Sequence, residues 1–336
     1  MNIKNISGKI PLTKSFVFFS ILVYCLSGYS QKPKIVFATH WMPQAQFAGF
    51  YVAQDQGFYD EAGIDVEIIH ATTTTNSMEI LKSGKADVVS SFLISAMHEK
   101  CDGLNLINIA QLSQHSAILF VSKKSGDVQT LDDFKGKKIS IWNKDFSDMP
   151  KALIKEKNIN VEWIPILSTV NLFLAGGVDI MTVMYYNEYD MIYLSGVDTD
   201  ELNTFFLSDF GYDIPEDGLY TLQSTYDTRK KELQAFIEAS FKGWEYAARN
   251  REYTVDLIVE LMRNENIPSN ETHQRWMLNK ILDFQSLKGK SIDKGVLDID
   301  DFKQVMDILI DLDTCKCEFT YKDFFKNDFI LQKTNK

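Results

Sequence analysis

The sequence predicts an α/β protein in which two parallel-sheet lobes enclose a ligand cleft. From residue 34 onward, strand-like and helix-like segments alternate without hairpin turns between them, which is typical of βαβ units. The alternation begins again after Ser116, which indicates a second sheet. Because no low-complexity linker separates the two series, we expect the chain to cross between the lobes and return. The predicted lobes are residues 34–116 with 215–336, and residues 117–214.

The first series supplies four strands and two helices. Each helix ends at a glycine, Gly57 or Gly84, and glycine readily takes the left-handed conformation that ends helices. Apolar, β-branched runs predict the strands. We expect strands at 35–39, 66–69, 86–89 and 107–112, and helices at 45–57 and 76–83.

The second series predicts a smaller unit, which is followed by helices. Strands are expected at 117–121, 138–142, 161–164 and 178–183, with short helices at 131–134 and 149–157. From Gln223 onward the pattern is helical, over 229–249, 254–264, 271–284 and 300–312. These helices should cover the sheets. Strand carboxyl ends should then face the gap between the lobes, where ligands of open α/β sheets bind.

Composition and charge limit the class of protein. The chain has 336 residues, of which 45% are hydrophobic and 12% aromatic, so it can bury a substantial core. Its formal net charge of −11 argues against an extended nucleic-acid-binding surface.

The N-terminus has the layout of a secretory signal peptide. Lysines precede an apolar run of about a dozen residues, and small residues follow it: Lys4, Lys9 and Lys14, then 15–26, then Gly28 and Ser30. We expect residues 1–30 to be a signal peptide and the protein to be exported. An uncleaved anchor stays open, as does lipidation at Cys25, although the bulky Tyr24 disfavours lipidation.

The cysteines and histidines predict no metal site. Four cysteines are present, and removal of the signal peptide would leave three, an odd number that predicts no disulfide framework. Cys315 and Cys317 are too close in sequence to form a zinc knuckle by themselves. The five histidines are scattered singly. We expect buried or surface thiols, and no metal.

Several motifs resemble those of one known family. They lie at 41–43, 49–53, 57–66, 83–88, 131–139, 186–189 and 215–220, and read WMP, GFYVA, GFYDEAGIDV, SGKADV, LDDFKGKKI, YNEY and PEDGLY. In this order, over residues 34–285, they resemble the family of ABC-transporter substrate-binding proteins and thiamine pyrimidine synthases. The YNEY and PEDGLY motifs resemble the thiamine-precursor branch.

The resemblance implies a periplasmic-binding-protein-like fold, a venus flytrap whose lobes close on a small molecule. It implies an exported, monomeric solute-binding protein that serves an ABC permease, on the periplasmic side or at the outer face of the inner membrane. The ligand would be a thiamine pyrimidine precursor or a similar heteroaromatic compound, with taurine or an alkanesulfonate as an open alternative. No catalytic step and no cofactor are implied. A sensor module is a further alternative.

The family also raises an enzyme alternative. Its fungal synthases consume one of their own histidines and pyridoxal phosphate, which a lysine holds, and they carry a cysteine-rich iron-binding run. Alignment places Ser91 at the lysine and Ser95 at the histidine, and residues 205–225 contain no cysteine. Because a hydroxyl can form neither a Schiff base nor an imidazole donor, the synthase chemistry is expected to be absent.

Candidate ligand contacts follow the strands. Trp41 is either an aromatic plate for a planar ring or a hydrophobic lid over the first helix. Thr73 and Asn76 precede a helix, where such side chains cap the helix or meet a polar ligand. Ser91 and Asn143 follow strands of the first and second lobe and are similar candidates.

The strongest candidates follow the last strand of the second lobe. Tyr185, Tyr186, Asn187 and Glu188 place a carboxylate and an amide among aromatic rings. An aminopyrimidine offers a flat face, ring nitrogens that accept and an amine that donates, and such side chains match these features. A structural reading is also open, because glutamate is common in the first turn of a helix.

Overall fold

Two five-stranded sheets form the framework of the protein. The computed structural model describes residues 32–142, 147–167, 169–287, 293–316, 319–326 and 328–329. The first sheet contains β1 (Lys34–Thr39), β2 (Asp65–His70), β3 (Val88–Phe92), β4 (Leu106–Gln111) and β10 (Asp217–Leu222). The second contains β5 (Ile118–Lys123), β6 (Lys138–Trp142), β7 (Glu162–Ile166), β8 (Ile180–Met184) and β9 (Leu202–Phe206).

The first sheet is mixed, with strand order β2-β1-β3-β10-β4. Strands β1, β2 and β3 are parallel, as predicted. Strand β10 is antiparallel to both β3 and β4. Strand β10 was not predicted, because Pro215-Glu216-Asp217-Gly218 has the composition of a turn. The strand belongs here because the chain returns from the second sheet and enters the first from the opposite end.

The second sheet is also mixed, with strand order β7-β6-β8-β5-β9. Strand β6 is parallel to β7 and β8, whereas β5 is antiparallel to β8 and β9. The α/β class is therefore confirmed, and the expected parallel sheets are corrected to mixed ones. The first lobe is the first sheet with the helices that directly follow its strands. The second lobe is the second sheet with the helices that directly follow its strands.

Helices connect the strands and then cover the sheets. The bounds are α1 (Ala48–Asp55), α2 (Phe58–Glu61), α3 (Ser77–Lys82), α4 (Leu93–Cys101), α5 (Asp148–Glu156), α6 (Asn171–Leu174), α7 (Glu188–Leu194), α8 (Gln223–Thr228), α9 (Lys230–Arg249), α10 (Arg251–Asn264), α11 (Glu271–Phe284), α12 (Ile299–Asp311) and α13 (Tyr321–Phe324). Short 3-10 helices lie at Ala45–Phe47, Leu131–Phe134, Thr199–Glu201 and Leu207–Phe210. None of the described helices combines the length and apolar character needed to cross a bilayer.

Helix α9 packs directly on α1, and two glycines permit the close approach. A Cβ atom at Gly243 would collide with the backbone carbonyl of Gly49, and one at Gly49 would collide with the Trp244 ring. Trp244 is fully buried beside Phe50. This helix pair therefore fixes the position of the loop that precedes α1, which contributes to the site described below.

Two chain segments cross between the sheets, and carboxylates hold them together. Glu216 Oε1 accepts hydrogen bonds from Ser116 Oγ at 2.9 Å and from the backbone N–H of Ala117 at 2.8 Å. Asp213 Oδ1 accepts from the backbone N–H of Ser116 at 2.9 Å. The described residues from Lys34 onward form one compact unit, so the lobe boundaries at residues 117 and 214 stay predictions.

A disulfide bond corrects the prediction made from the cysteine count. Cys101 at the end of α4 is bonded to Cys315 beyond α12, with 5.5 Å between the Cα atoms and 214 residues between them in sequence. The prediction failed because an odd number of cysteines rules out complete pairing, but it does not rule out a single bond between two of them. Cys317 lies outside the described residues, as does the predicted signal peptide of residues 1–30.

Candidate functional site

A cavity of about 470 Å³ lies between helices of the two lobes. The first lobe contributes polar side chains from the end of β3, from the start of α3 and from α4, whereas the second lobe contributes the start of α5. The polar side chains of the lining include those of His40, Asn76, Ser91, Ser95, His98, Glu99, Asp102, Ser147, Asp148 and Lys151. A few hundred Å³ with several polar groups suits a small molecule.

The cavity wall in the first lobe depends on how β3 continues directly into α4. Ser91 lies in β3 and is buried. Ser95, His98, Glu99 and Asp102 then follow at spacings of three, four and seven residues, which places them on one face of the helix. Ser91 was predicted as a ligand contact, whereas Ser95 was considered only as the position of the missing synthase histidine, and His98, Glu99 and Asp102 were not predicted. The spacing was the signal that could have identified the polar face.

His98 and Asp148 join the two lobes across the cavity. His98 Nε2 lies 2.5 Å from Asp148 Oδ2. Asp148 is the first residue of α5, where a carboxylate also interacts favourably with the positive end of the helix dipole. Lys151 Nζ donates to Ser147 Oγ at 3.1 Å in the same turn. Sequence reasoning missed all four residues.

His40 lines the cavity, and its side chain is only 7% exposed. Its Nδ1 is 2.7 Å from Ser90 Oγ, and Phe47 and Phe92 meet the imidazole ring edge to face. Burial lowers the pKa of His40 to about 3, so the ring is neutral near pH 7. A neutral ring can accept a hydrogen bond at Nε2, and Gln46 Nε2 lies 3.0 Å from that atom.

Gln46 connects polar groups of both lobes beside His40. Its side-chain Nε2 donates to Asp217 Oδ2 at 2.9 Å and lies 3.0 Å from the hydroxyl of Tyr186, which comes from the second lobe. Among the described residues, Asp217 Oδ1 is buried without a hydrogen-bond partner. Burial raises the pKa of Asp217 to about 7 and that of Glu216 to about 8.

A second polar cluster joins α7 to α11. Glu188 is 2% exposed, and its carboxylate accepts from the backbone N–H of Met184 at 2.9 Å and from Asn187 Nδ2 at 2.7 Å. Burial raises the pKa of Glu188. His273 on α11 lies 2.7 Å from Asp190 Oδ2 and 3.1 Å from Asn187 Oδ1. The hydrogen bonds of Glu188 are therefore directed to its own strand and turn.

Comparison with known proteins identifies the family. The profile described as NMT1/THI5 like matches residues 44–253, which is more than half of the chain. This chain belongs to the NMT1/THI5-like family. The predicted resemblance is thereby confirmed.

Relatives of this NMT1/THI5-like protein carry names connected with thiamine. A Haemophilus influenzae protein, named for thiamine biosynthesis, is 24% identical over 77% of this chain and 83% of its own. The formylaminopyrimidine-binding protein of Halalkalibacterium halodurans is 21% identical over 68% of this chain and 70% of its own. The Saccharomyces cerevisiae 4-amino-5-hydroxymethyl-2-methylpyrimidine phosphate synthase THI11 is 30% identical over 108 residues. That match spans 32% of each chain, about a third of the length of the yeast enzyme.

Solved structures of periplasmic binding proteins share the fold. The aliphatic sulphonate binding protein SsuA from Escherichia coli has a TM-score of 0.66 and 12% identity, covering 86% of this chain and 96% of its own. The ligand binding component of an ABC-type import system from Staphylococcus aureus has a TM-score of 0.65 and 13% identity, covering 88% and 97%. Such identities show the fold alone, and they confirm that this NMT1/THI5-like protein has the predicted periplasmic-binding-protein fold.

Five of the nine residues predicted as ligand contacts lie in three different places in or near the cavity and the α7–α11 cluster. Asn76 and Ser91 line the cavity of this NMT1/THI5-like protein, and Asn76 also caps α3 by accepting from the backbone N–H of Glu79 at 2.8 Å. Tyr186 belongs to the Gln46 network beside the cavity. Asn187 and Glu188 form the cluster with His273.

Of the other predicted contacts, Trp41, Thr73 and Tyr185 lie outside the cavity lining. Trp41 is half-buried and packs against the main core, and Thr73 is exposed. Tyr185 packs on Trp276, with ring centroids 5.3 Å apart, and its carbonyl accepts from the indole N–H at 2.9 Å. Asn143 lies outside the described residues. Roles of these residues in ligand binding stay predictions.

Proposed function

We propose that this protein is a solute-binding protein that binds a thiamine pyrimidine precursor or a similar small heteroaromatic compound. The observation that carries the proposal is the polar cavity of about 470 Å³ between the lobes. Closure of two lobes around such a cavity excludes water and presents a distinct closed form to a partner. No catalytic step is needed.

The proposed ligand class rests on the polar groups and on the relatives. Asn76 and Ser91 offer an amide and a hydroxyl to the cavity, and Phe92 offers an apolar surface. These groups match a flat ring that carries nitrogen acceptors and an amine donor. The name of the Halalkalibacterium halodurans relative describes such binding for that protein. In this scheme, Tyr186 supports the cavity through Gln46, and Glu188 shapes the turn that precedes α7.

Export and an importer partner belong to the same proposal. The bond between Cys101 and Cys315 supports export, because disulfides persist in oxidising compartments and are rare in the cytosol. The fold shared with the ligand binding component of an ABC-type import system from Staphylococcus aureus supports an ABC permease as partner. We expect the protein to work as a monomer on the outer side of the membrane.

A synthase is the second candidate, because the yeast enzyme THI11 is 30% identical over 108 residues. Ser91 and Ser95, which align with the lysine and the histidine that the synthase chemistry requires, both line the cavity. Neither hydroxyl can replace those groups. Incubation with pyridoxal phosphate and iron, followed by mass spectrometry, should show no loss of histidine mass. A histidine fragment lost in proportion to a pyrimidine product would establish the synthase instead.

Calorimetric titration tests the binding role. We expect heat from 4-amino-5-hydroxymethyl-2-methylpyrimidine or its formylamino precursor, with a dissociation constant in the micromolar range or below. Ser95→Leu should weaken this binding about tenfold, because the larger apolar side chain occupies part of the cavity and removes a polar group. Ser125→Leu is the matched control, since Ser125 is exposed outside the cavity lining. Absence of heat from both compounds, and from thiamine, would remove the ligand assignment.

A further inference from the structure

The two chain segments that cross between the sheets form the hinge of the molecule. They are residues 112–117, which join β4 to β5, and residues 207–216, which lead from β9 to β10. We call them the hinge segments. Because the main chain passes between the sheets in these segments, a rotation of one lobe against the other has to change their backbone.

The side chain of Glu216 joins the two hinge segments inside the protein. Glu216 is 5% exposed, and its Oε1 accepts from the hydroxyl of Ser116 and from the backbone N–H of Ala117 on the other segment. Ser113 Oγ, which also belongs to that segment, accepts from the backbone N–H of Glu216 at 2.7 Å. These hydrogen bonds depend on the register of the hinge segments, so opening of the lobes should disturb them.

Burial makes the ionised form of the Glu216 carboxyl unfavourable. Burial raises the pKa of Glu216 to about 8, although the hydrogen bonds from Ala117 and Ser116 act in the opposite direction. A protonated carboxyl keeps its carbonyl oxygen, so Oε1 can accept both hydrogen bonds while Glu216 holds a proton. Loss of that proton would place a negative charge inside the hinge.

The groups around Glu216 oppose the loss of its proton. Asp217 and Asp213 are neighbouring carboxylates that raise the pKa of Glu216 further. His115 lies 2.7 Å from Asp213 Oδ2 and offsets that charge when it is protonated. The second lobe presents Tyr186, whose pKa burial raises well above its ordinary value, so its hydroxyl stays neutral. Helix α4, whose first N–H donates to the Glu216 carbonyl, has no titratable side chain among its first five residues.

We propose that Glu216 couples closure of the lobes to the uptake of a proton, so that the hinge favours the closed arrangement at neutral pH and the open one at alkaline pH. Opening brings the carboxyl into contact with water, where its ionised form is stable. Because the closed form holds the proton more tightly, closure is favoured at low pH and is lost as the pH rises through the pKa of the closed form. A ligand held by both lobes is then released as the pH rises. Only this last consequence rests on the proposed solute-binding function.

The arrangement of the lobes can be measured without any ligand. Spin labels at Lys85→Cys in the first lobe and Ser125→Cys in the second, both exposed positions, report the distance between the lobes by electron–electron double resonance. The background carries Cys25→Ser and Cys317→Ser, so that the labels attach at these two positions. We expect the longer-distance population to grow about threefold or more from pH 7 to pH 9. A distance distribution that does not change with pH would overturn the proposal.

Glu216→Gln assigns the effect to this carboxyl. Glutamine has the shape of the protonated side chain and an oxygen that can accept from Ser116 and Ala117, but it has no proton to lose in this pH range. The variant should therefore stay closed at pH 9. Glu260→Gln is the matched control, since Glu260 is exposed on α10, and it should keep the full response to pH. An equal response in Glu216→Gln and the parent would overturn the assignment.

Ser116→Ala tests the same carboxyl without replacing it. The variant removes a hydrogen bond that favours the ionised form of Glu216, so the midpoint of the distance change should move to higher pH. A midpoint that stays in place or moves to lower pH would contradict the role of Glu216, even if Glu216→Gln does not fold.

Calorimetric titration with 4-amino-5-hydroxymethyl-2-methylpyrimidine shows whether the proton controls binding as well. With a pKa of about 8 in the closed form and an ordinary one in the open form, the affinity should fall about tenfold from pH 7 to pH 9. In Glu216→Gln it should fall about threefold or less, because only Asp217 still loses a proton near this range. An equal fall in both proteins would overturn the link to binding. If the compound does not bind at either pH while the distances still respond, the proposed function fails and the proton-linked hinge is supported.

Discussion

At the scale of single residues, Gln46 holds polar groups of both lobes in one buried network. Its amide N–H groups are shared among His40, Tyr186 and Asp217. Buried polar groups that are left without partners cost about 1–3 kcal/mol each, so such a network is stable only when its geometry is kept. A change in the separation of the lobes should therefore change the hydrogen bonding of Asp217, and a change in the protonation state of Asp217 should affect how the lobes are held.

The buried Asp217 predicts a pH-dependent difference between the protein and its Asp217→Asn variant. Burial raises the pKa of Asp217 from 3.8 to about 7, so the folded state keeps a proton that the unfolded state has lost. The contribution of Asp217 to stability is thus present below pH 4 and falls as the pH rises to about 7. The free energy of unfolding of the variant, measured in urea and relative to the parent, should rise by about 1–3 kcal/mol over that interval. A pH-independent difference would contradict the assignment.

The contact between His98 and Asp148 predicts energetic coupling between the lobes. The side chains are 28% and 15% exposed, so water screens the pair only partly. In a double-mutant cycle with alanine, we expect a coupling energy of about 0.5–1.5 kcal/mol in the free energy of unfolding. The cycle removes the separate effect of Asp148 on its own helix. Additive single variants, within about 0.3 kcal/mol, would show that the contact carries no coupling.

At the scale of elements, the C-terminal helices contact both lobes. On α11, Gln274 accepts from the backbone N–H of Ala45 at 2.8 Å, and Trp276 donates to the carbonyl of Tyr185. On α12, Gln304 donates to the carbonyl of Gly211 at 2.7 Å. The disulfide then ties the chain beyond α12 to the end of α4. These helices therefore limit how far the cavity can open.

Removal of the disulfide should weaken both stability and binding. Asp102 and Thr314, the neighbours of Cys101 and Cys315 in sequence, line the cavity. A Cys101→Ser, Cys315→Ser variant should lose about 2–5 kcal/mol of unfolding free energy and bind the pyrimidine several-fold more weakly. Dithiothreitol should reproduce the effect in the parent and change nothing further in the variant. Unchanged affinity in the variant would show that the bond does not shape the wall.

The elements that the sequence predicted well are those whose pattern is local. Strands β1 and β8 are mostly apolar runs, and Asn76 precedes its helix with the spacing of a cap. Strand β10 was missed because its start has the composition of a turn, and only pairing with β3 and β4 makes it a strand.

The site was harder to predict, because it depends on contacts between distant segments. His98 and Asp148 are 50 residues apart, and Gln46 and Tyr186 are 140 apart. Neither pair has a spacing that a single sequence can reveal. The polar face of α4 was visible in the sequence, but such a face usually contacts solvent. The polar face of α4 becomes a cavity wall only because the second lobe packs opposite it, and that is a tertiary contact.

At the scale of the whole molecule, the proposed function requires that a small ligand bind in the cavity and contact both lobes. The Glu216 and Asp213 carboxylates hold the two crossing segments in register, while His98 and Asp148 meet in the cavity lining. A ligand in contact with both walls would favour the closed arrangement by its differential affinity for that state.

A crystal structure of the protein grown with millimolar 4-amino-5-hydroxymethyl-2-methylpyrimidine, or its formylamino precursor, tests this claim most directly. We expect electron density for the ring in the cavity, within hydrogen-bond distance of Asn76 or Ser91 on one side and of the first turn of α5 on the other. Density for the ring at any other place, or a cavity that stays without it at saturating concentration, would contradict the account.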